Sequence, residues 1–369
     1  MVGTYPPTEC GLATFTNNLT LAIAEGAGDV CVEVVRLVDS PEIELHDEVV
    51  AHWVVGDAAS RRRSVEVANR ADVVMIQHEY GLFAGPDGEE VLEFVSALTR
   101  PLVVVLHSVL AQPSPRQRRI VIDLMRAAEV LVVQSHDARR RLSEIYGFDP
   151  ARVEVIAHGA VANVDGAGMA SVPHPAILTW GLLGPGKGIE HGIAAVAHLA
   201  REGIRAHYVV AGATHPKVLA AAGESYRSSL RRRARRLHVL DRVHFDDAYR
   251  DWSSLRAMVR SADVVLLPYD SREQESSGVL VEALASAKPI VATPFPHAVE
   301  LLSTGAGILV PHGDAAAMSA AIARVLREPG VATTMSERAR EQARSLLWPA
   351  IGAQYRALIA GVRALAASN

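Results

Sequence analysis

Cysteine is scarce: Cys10 and Cys31 are the only two in 369 residues. Two thiols cannot build a disulfide framework or a four-cysteine metal site, and this usage fits a reducing cytoplasm. Long apolar runs are missing too. Pro101-Leu-Val-Val-Val-Leu106 is typical in length, far short of the roughly 18 residues that span a bilayer. The opening Met1-Val-Gly-Thr-Tyr-Pro-Pro has no basic head and no apolar run, so it does not read as a signal peptide. Basic residues are not in excess. With 37 Lys and Arg against 41 Asp and Glu the net charge is −4, which argues against a nucleic-acid binder. The expectation is a soluble, cytoplasmic protein that at most rests on the inner membrane face.

What is present is the balance of a globular chain, 49% apolar and 21% charged. The length exceeds the roughly 250–300 residues at which single cores stop growing, so two domains are expected. Short β-branched runs at 30–38, 73–77, 102–107, 130–134 and 153–158 read as strands. Several are apolar without alternation, as parallel strands covered on both faces should be. Helical stretches at 14–25, 61–70, 89–98, 115–127 and 138–146 lie between them. The first strand must come from residues 1–5 alone, short for a central strand and expected if the native start lies upstream of Met1. Residues 163–175 turn to Gly, Ala, Ser and Pro, a linker composition.

The rhythm then resumes, with strands at 176–180, 207–211, 243–245, 264–268, 289–292 and 307–310. Helices are expected at 189–201, 224–236, 252–261, 278–286 and 315–327, and a helical tail at 336–367 broken at Trp348-Pro349. The pattern is α/β, two Rossmann-like doubly wound parallel-sheet domains. Their expected extents are 1–165 and 172–345, with 346–369 as a terminal helix. Ligands of such sheets bind beyond the carboxyl ends of the strands, and two such domains facing each other leave a cleft.

The loops that follow strands therefore hold the candidates. Gly11, in Thr8-Glu-Cys-Gly11-Leu-Ala-Thr14, lets backbone approach a ligand at a helix start, or marks a tight turn with Thr14 as the cap. His78-Glu79 and His107-Ser108 end two strands, where a histidine is either functional or a satisfied structural residue. No Cys or paired-His spacing supports a metal there, and none is expected. Gly181-Leu-Leu-Gly-Pro-Gly-Lys187-Gly188 suits diphosphate charge, although it is neither a Walker loop nor a GxGxxG fingerprint. In Glu273-Gln274-Glu275-Ser276-Ser277-Gly278-Val279, acidic residues crowd a helix start, which also complements a helix dipole. Glu282, lying between apolar neighbours, is less well explained by the dipole. Its carboxylate could hold a pair of sugar hydroxyls.

Together these motifs resemble the GT-B glycosyltransferases, specifically the retaining family-4 group, over nearly the whole chain. The resemblance rests on Glu9-Cys-Gly-Leu-Ala-Thr-Phe15, His78-Glu-Tyr-Gly81, His107, Ile156-Ala-His158-Gly159, the 181–188 loop and the segment from Glu273 to Thr293. The nearest subgroup is mannosyltransferase-like. The family implies a hexose moved from a nucleotide-diphosphate sugar to a hydroxyl acceptor that is a glycan, lipid-linked or a small molecule. No cofactor is implied beyond that co-substrate. The leaving diphosphate itself is the expected base.

Lys187 then matches the diphosphate lysine, and Gly11 the glycine that approaches the diphosphate. His107 lies beside the donor sugar with Glu79 nearby, these two and Lys187 being the expected catalytic residues, and Glu282 is the second glutamate of an E-x7-E signature. Gln274, Glu275, Ser277, Gly278 and Val279 complete the donor site, and Asp247 and Tyr249 lie near the base. The family further implies that residues 1–165 form the acceptor side and 172–345 the donor-binding side, with the helix of 346–369 packing back on the first domain. Two departures stand out: Leu182 replaces an expected arginine, and Gln274 the first glutamate. They keep open a non-catalytic relic of the same fold acting as a binding or regulatory subunit. A sugar-nucleotide epimerase is a further alternative, one that the order of motifs does not favour. Arginine clusters at 61–63, 139–141 and 231–236 read as solvated faces, or as a membrane-surface contact if the acceptor is lipid-linked.

Overall fold

The computed structural model describes residues 1–25, 30–41, 48–248 and 250–368. The chain divides into two compact units, Met1–Gly159 with Trp348–Asn369, and Ala160–Leu347. The first holds strands β1 (Val2–Gly3), β2 (Val34–Val38), β3 (Val49–Val54), β4 (Val74–His78), β5 (Leu102–Leu106), β6 (Val130–Val133) and β7 (Val153–Val155). They form one sheet in the order β3-β2-β1-β4-β5-β6-β7. The second unit holds β8 (Ala176–Trp180), β9 (His207–Ala211), β10 (Val243–Asp246), β11 (Val264–Leu267), β12 (Ile290–Ala292) and β13 (Gly307–Leu309), in the order β10-β9-β8-β11-β12-β13. Each sheet is a doubly wound Rossmann-like sheet, as the alternating pattern implies.

The strand order reverses between β1 and β4 in one sheet and between β8 and β11 in the other. At a reversal the two following helices leave to opposite faces, and the gap between their starts is where such folds bind ligands. Central strands need no polar face, and β4, β5 and β8 are buried along their whole length. β1 is shorter still than residues 1–5, yet it pairs on both sides, Val2 opposite Val35 and Ile76. β3 was not legible as a strand. It is an edge strand with mixed exposure, and its Trp53 is fully buried and stacks on Phe94 at 4.7 Å.

Each sheet has its own core. Ile76, Val104, Phe94, Ile120 and Leu131 centre the first, and Ile177, Ile193, Tyr208, Leu266 and Ile322 the second. Each such side chain contributes roughly 1.5–3 kcal/mol by leaving water.

The helix Trp348–Ser368 belongs to the first unit and packs against the helix Gly11–Ala24. Pro349 sits in its first turn, where a missing N–H costs nothing. The interruption before it is a 3-10 turn at Arg344–Leu346 and an extended Leu347. Arg356 donates to the carbonyls of Ala22 at 2.6 Å and Glu25 at 2.8 Å, covering the open end of the neighbouring helix. A Cβ on Gly352 would lie 2.2 Å from Ala22 O, so only glycine permits this approach. Gly352→Val is therefore expected to cost about 1–3 kcal/mol by forcing the helices apart. Differential scanning calorimetry should show the lowered midpoint, and an unchanged one would contradict the packing.

Candidate active site

In the second unit, the loop after β8 runs into the helix Ile189–Arg201 through Gly188, which is left-handed at φ 62°. A Cβ there would lie 1.8 Å from Pro268 O, at the end of β11. Glycine is thus required on steric and dihedral grounds, and the contact locks the loops of β8 and β11 together at the strand reversal. The Asp270 amide adds a hydrogen bond to Gly186 O at 2.9 Å.

Lys187 projects from this loop with its Nζ 4.3 Å from the centre of the Tyr269 ring. Tyr269 is itself stacked on Phe295, and its carbonyl accepts from Thr293 Oγ1 and faces His312 Nδ1. The lysine therefore lies on a fixed aromatic face, with no carboxylate at ion-pair distance among the described residues. Such a cation–π contact supplies roughly 0.5–2 kcal/mol and leaves the charge available to an anion.

The helix Gly278–Ala285 begins beside this loop. A Cβ on Gly181 would be 3.6 Å from Val279 Cγ2. Ser277 caps the helix through Leu280 N–H, and its own amide donates to the buried His297 Nδ1 at 2.8 Å. Val281 N–H makes the first turn's bond to Ser277 O, so Gly278 and Val279 lie ahead of the ladder. Their amides are available to an anion or a hydroxyl oxygen. Before them Glu273 is exposed, Gln274 half-buried and Glu275 buried.

Glu282 lies one turn in and is half-buried. Desolvation pushes its carboxyl up to about 7, opposed by Arg256 and by a hydrogen bond from the Val161 backbone. Asp247 is exposed just past β10, whereas Tyr249 lies outside the described residues.

In the first unit, Gly11 opens the helix Gly11–Ala24, and nothing would meet a Cβ there within 4 Å. The cap is not Thr14: Cys10 Sγ accepts from Ala13 N–H at 3.3 Å, so the helix starts three residues earlier. Arg36, a buried cation inside β2, donates to Tyr5 O and Thr8 Oγ1 and fixes the turn before it. Only its charge inside a valine-rich run could have marked it.

His107 follows β5, with its Nε2 2.7 Å from Gln77 Oε1 and its Nδ1 3.1 Å from Gln134 Nε2. Burial and the neighbouring His158 and His78 hold it down to about 3, so the ring is neutral. Glu79 accepts from Ser108 Oγ and from Tyr80 N–H. His78 is fully buried between Tyr80 and Phe83 and held down to about 4, a core histidine. Phe15 packs edgewise on His107, His158 and Trp348, a cluster that no local sequence pattern assembles.

Among the described residues, Glu190, His191 and Asp270 bring three metal-type ligand atoms within 4.8 Å of one another. Internal bonds already engage them: His191 Nε2 meets Asp270 Oδ1 at 3.1 Å and Tyr226 donates to Glu190.

The raised Glu282 carboxyl predicts a pH dependence. Below the ordinary value of 4.5 both states are protonated and it contributes nothing. Between 4.5 and about 7 the unfolded chain ionises first, so the folded unit loses stability as pH rises. Glu282→Gln should therefore gain on the order of 2–3 kcal/mol over wild type across that window. Urea titrations at pH 4.5 and 8 would read it, and a constant difference would contradict the burial.

Known proteins resemble this chain in sequence and in fold. Residues 12–162 match the sequence model of Glycosyltransferase Family 4, and residues 171–344 that of Glycosyl transferases group 1. A D-inositol 3-phosphate glycosyltransferase of Kineococcus radiotolerans is 30% identical over 254 residues, 62% of this chain and 56% of that protein. A Mycobacterium tuberculosis glycogen synthase is 29% identical over 59% of this chain and 50% of its own length. The chain thus spans little more than half the length of these curated relatives.

The Anabaena protein HepE, solved with UDP, superposes at a TM-score of 0.75 and 17% identity, covering 98% of this chain and 99% of its own. A sucrose-phosphate synthase of Thermosynechococcus elongatus superposes equally at 0.75 and 19% identity, covering 97% and 94%. At such identities these two speak for the fold. With both halves matched in order and the two-sheet architecture shared, the chain belongs to the GT-B glycosyltransferases of the group 1 and family 4 kind.

Proposed function

We propose that the chain transfers a hexose from a nucleotide-diphosphate sugar to a hydroxyl acceptor, with retention of configuration. The observation that carries this reading is the second unit's strand reversal. There Lys187, lying on Tyr269, and the leading amides of Gly278 and Val279 border one loop system. A diphosphate needs such fixed donors, because charge builds on it as the sugar leaves. Glu282 would hold the ribose hydroxyls, its raised pKa relieved when two hydroxyls donate to the carboxylate. Gln274, or the buried Glu275, would meet the donor sugar.

The first unit would carry the acceptor side, and by the motif resemblance Gly11, at its helix start, would approach the diphosphate and His107, at a strand end, would lie beside the donor sugar with Glu79 nearby. The leaving diphosphate would serve as base, which requires no nucleophilic carboxylate and no resident metal. UDP is the nucleotide to try first, since HepE was solved with it and with UDP-glucose. Mannose rests on the motif resemblance alone, and the relatives' names carry inositol phosphate and glycogen instead. A cytoplasmic location is part of the same proposal. Among the described residues no helix is long and apolar enough to cross a membrane.

Calorimetry tests the donor site. UDP should bind saturably, and Lys187→Ala and Glu282→Ala should each weaken it about 10- to 100-fold, the loss of one charge-assisted contact. EDTA should leave the affinity unchanged. Binding of no nucleotide would overturn the reading. Binding without turnover of UDP-hexoses on any acceptor would favour the non-catalytic alternative suggested by Leu182 and Gln274.

A further inference from the structure

The surroundings of His107 constrain what that residue can do. Gln77 is the fourth residue of β4 and Gln134 directly follows β6, so the two flank β5, which ends at Leu106. Both glutamines are buried, at 0% and 2% exposure. Gln77 presents Oε1, which has no proton to give, so the facing Nε2 of His107 must carry one. Gln134 presents its amide Nε2, which only donates, so the facing Nδ1 must carry a lone pair. The Phe15 ring packs against another side in a T-shaped contact, its centre 4.8 Å away and its plane at 89°.

We propose that Gln77 and Gln134 are positioning residues that hold His107 as one neutral tautomer, protonated on Nε2, so that it neither accepts nor delivers a proton during transfer. The proposal deepens the role beside the donor sugar given to His107 above, and rests on that role for its catalytic meaning. The acceptor's proton must then leave by another group, as expected when the departing diphosphate is the base. His107 contributes a rigid, uncharged edge instead.

The titratable groups acting on the ring are consistent with this. His158, after β7, and His78, at the end of β4, both act to lower His107, and burial holds each of them down to about 4. The nearby carboxylate, Glu79, is bonded to Ser108. A single uncompensated carboxylate in place of Gln77 would reverse this balance.

The test reads the ring itself in the full-length chain. With 15N-histidine labelling, long-range 1H–15N spectra are recorded from pH 5 to 8, and His107→Gln assigns the signal by its loss. Wild-type His107 should show the neutral Nε2–H pattern throughout. Gln134→Leu removes the donor to Nδ1 and should give a mixture of tautomers. Gln77→Glu places a carboxylate against Nε2 and should move the titration up by more than two units, into the measured range. If that variant fails to fold, as its amide dispersion would show, Gln134→Glu takes its place with the same upward shift expected.

A purely structural role for the glutamines would leave the tautomer unmoved. A wild-type ring that titrates near 6.5, carries its proton on Nδ1, or keeps its signal in all the variants would overturn the proposal. Because the ring is read without substrate, failure of UDP to bind would count against the donor site and leave this result standing.

Discussion

Among the described residues every strand pairing in the two sheets is parallel, and this constraint decides where chemistry can lie. A parallel strand needs a long crossover before the next one, so each sheet is covered on both faces and its strands become continuous apolar runs. Polar and flexible residues are thereby pushed to the strand ends. Where the order reverses, two loops leave to opposite faces, and in the second unit Gly188 and Pro268 O bring them into contact. Lys187, Tyr269 and the start of the Gly278–Ala285 helix are placed by that contact.

The two strand reversals are built from different chemistry. In the second unit Lys187 and the leading amides of Gly278 and Val279 suit an anion, beside the acidic Asp270 and Glu273. In the first unit the side chains packed around His107 are aromatic and neutral, while the Glu79 carboxylate is bonded to Ser108 and Tyr80. Phe15, His158 and Trp348 pack on one another, and His107 is occupied at both ring nitrogens. Trp348 enters from the far end of the chain and covers Gly159, where a Cβ would lie 2.4 Å from its ring. The terminal helix is thus part of the first unit's own core rather than an appendage.

Much of the fold was legible because its causes are local. Strands such as 176–180 and 207–211, and helices such as 115–127 and 252–261, coincide with their expected limits, since uninterrupted apolar runs and capped amphipathic stretches announce themselves. β3 was missed because an edge strand carries mixed polarity. The helices Pro216–Ala222 and Pro296–Leu302 were missed because a leading proline reads as a break although it suits a first turn. Cys10 was passed over as a cap because a thiol is a rare one. At the candidate site, the sequence supplied Lys187, His107 and Glu282 as residue types. It could not supply the two glutamines, which end strands that look simply apolar, nor Trp348, whose partners are more than 180 residues away in sequence.

The central claim is that a nucleoside diphosphate occupies the strand reversal of the second unit. Hydrogen–deuterium exchange with and without saturating UDP tests it most directly. The account predicts added protection in peptides covering 181–191 and 277–282, with the rest of the second unit's sheet unchanged. Protection confined to other segments, or none at all, would contradict it.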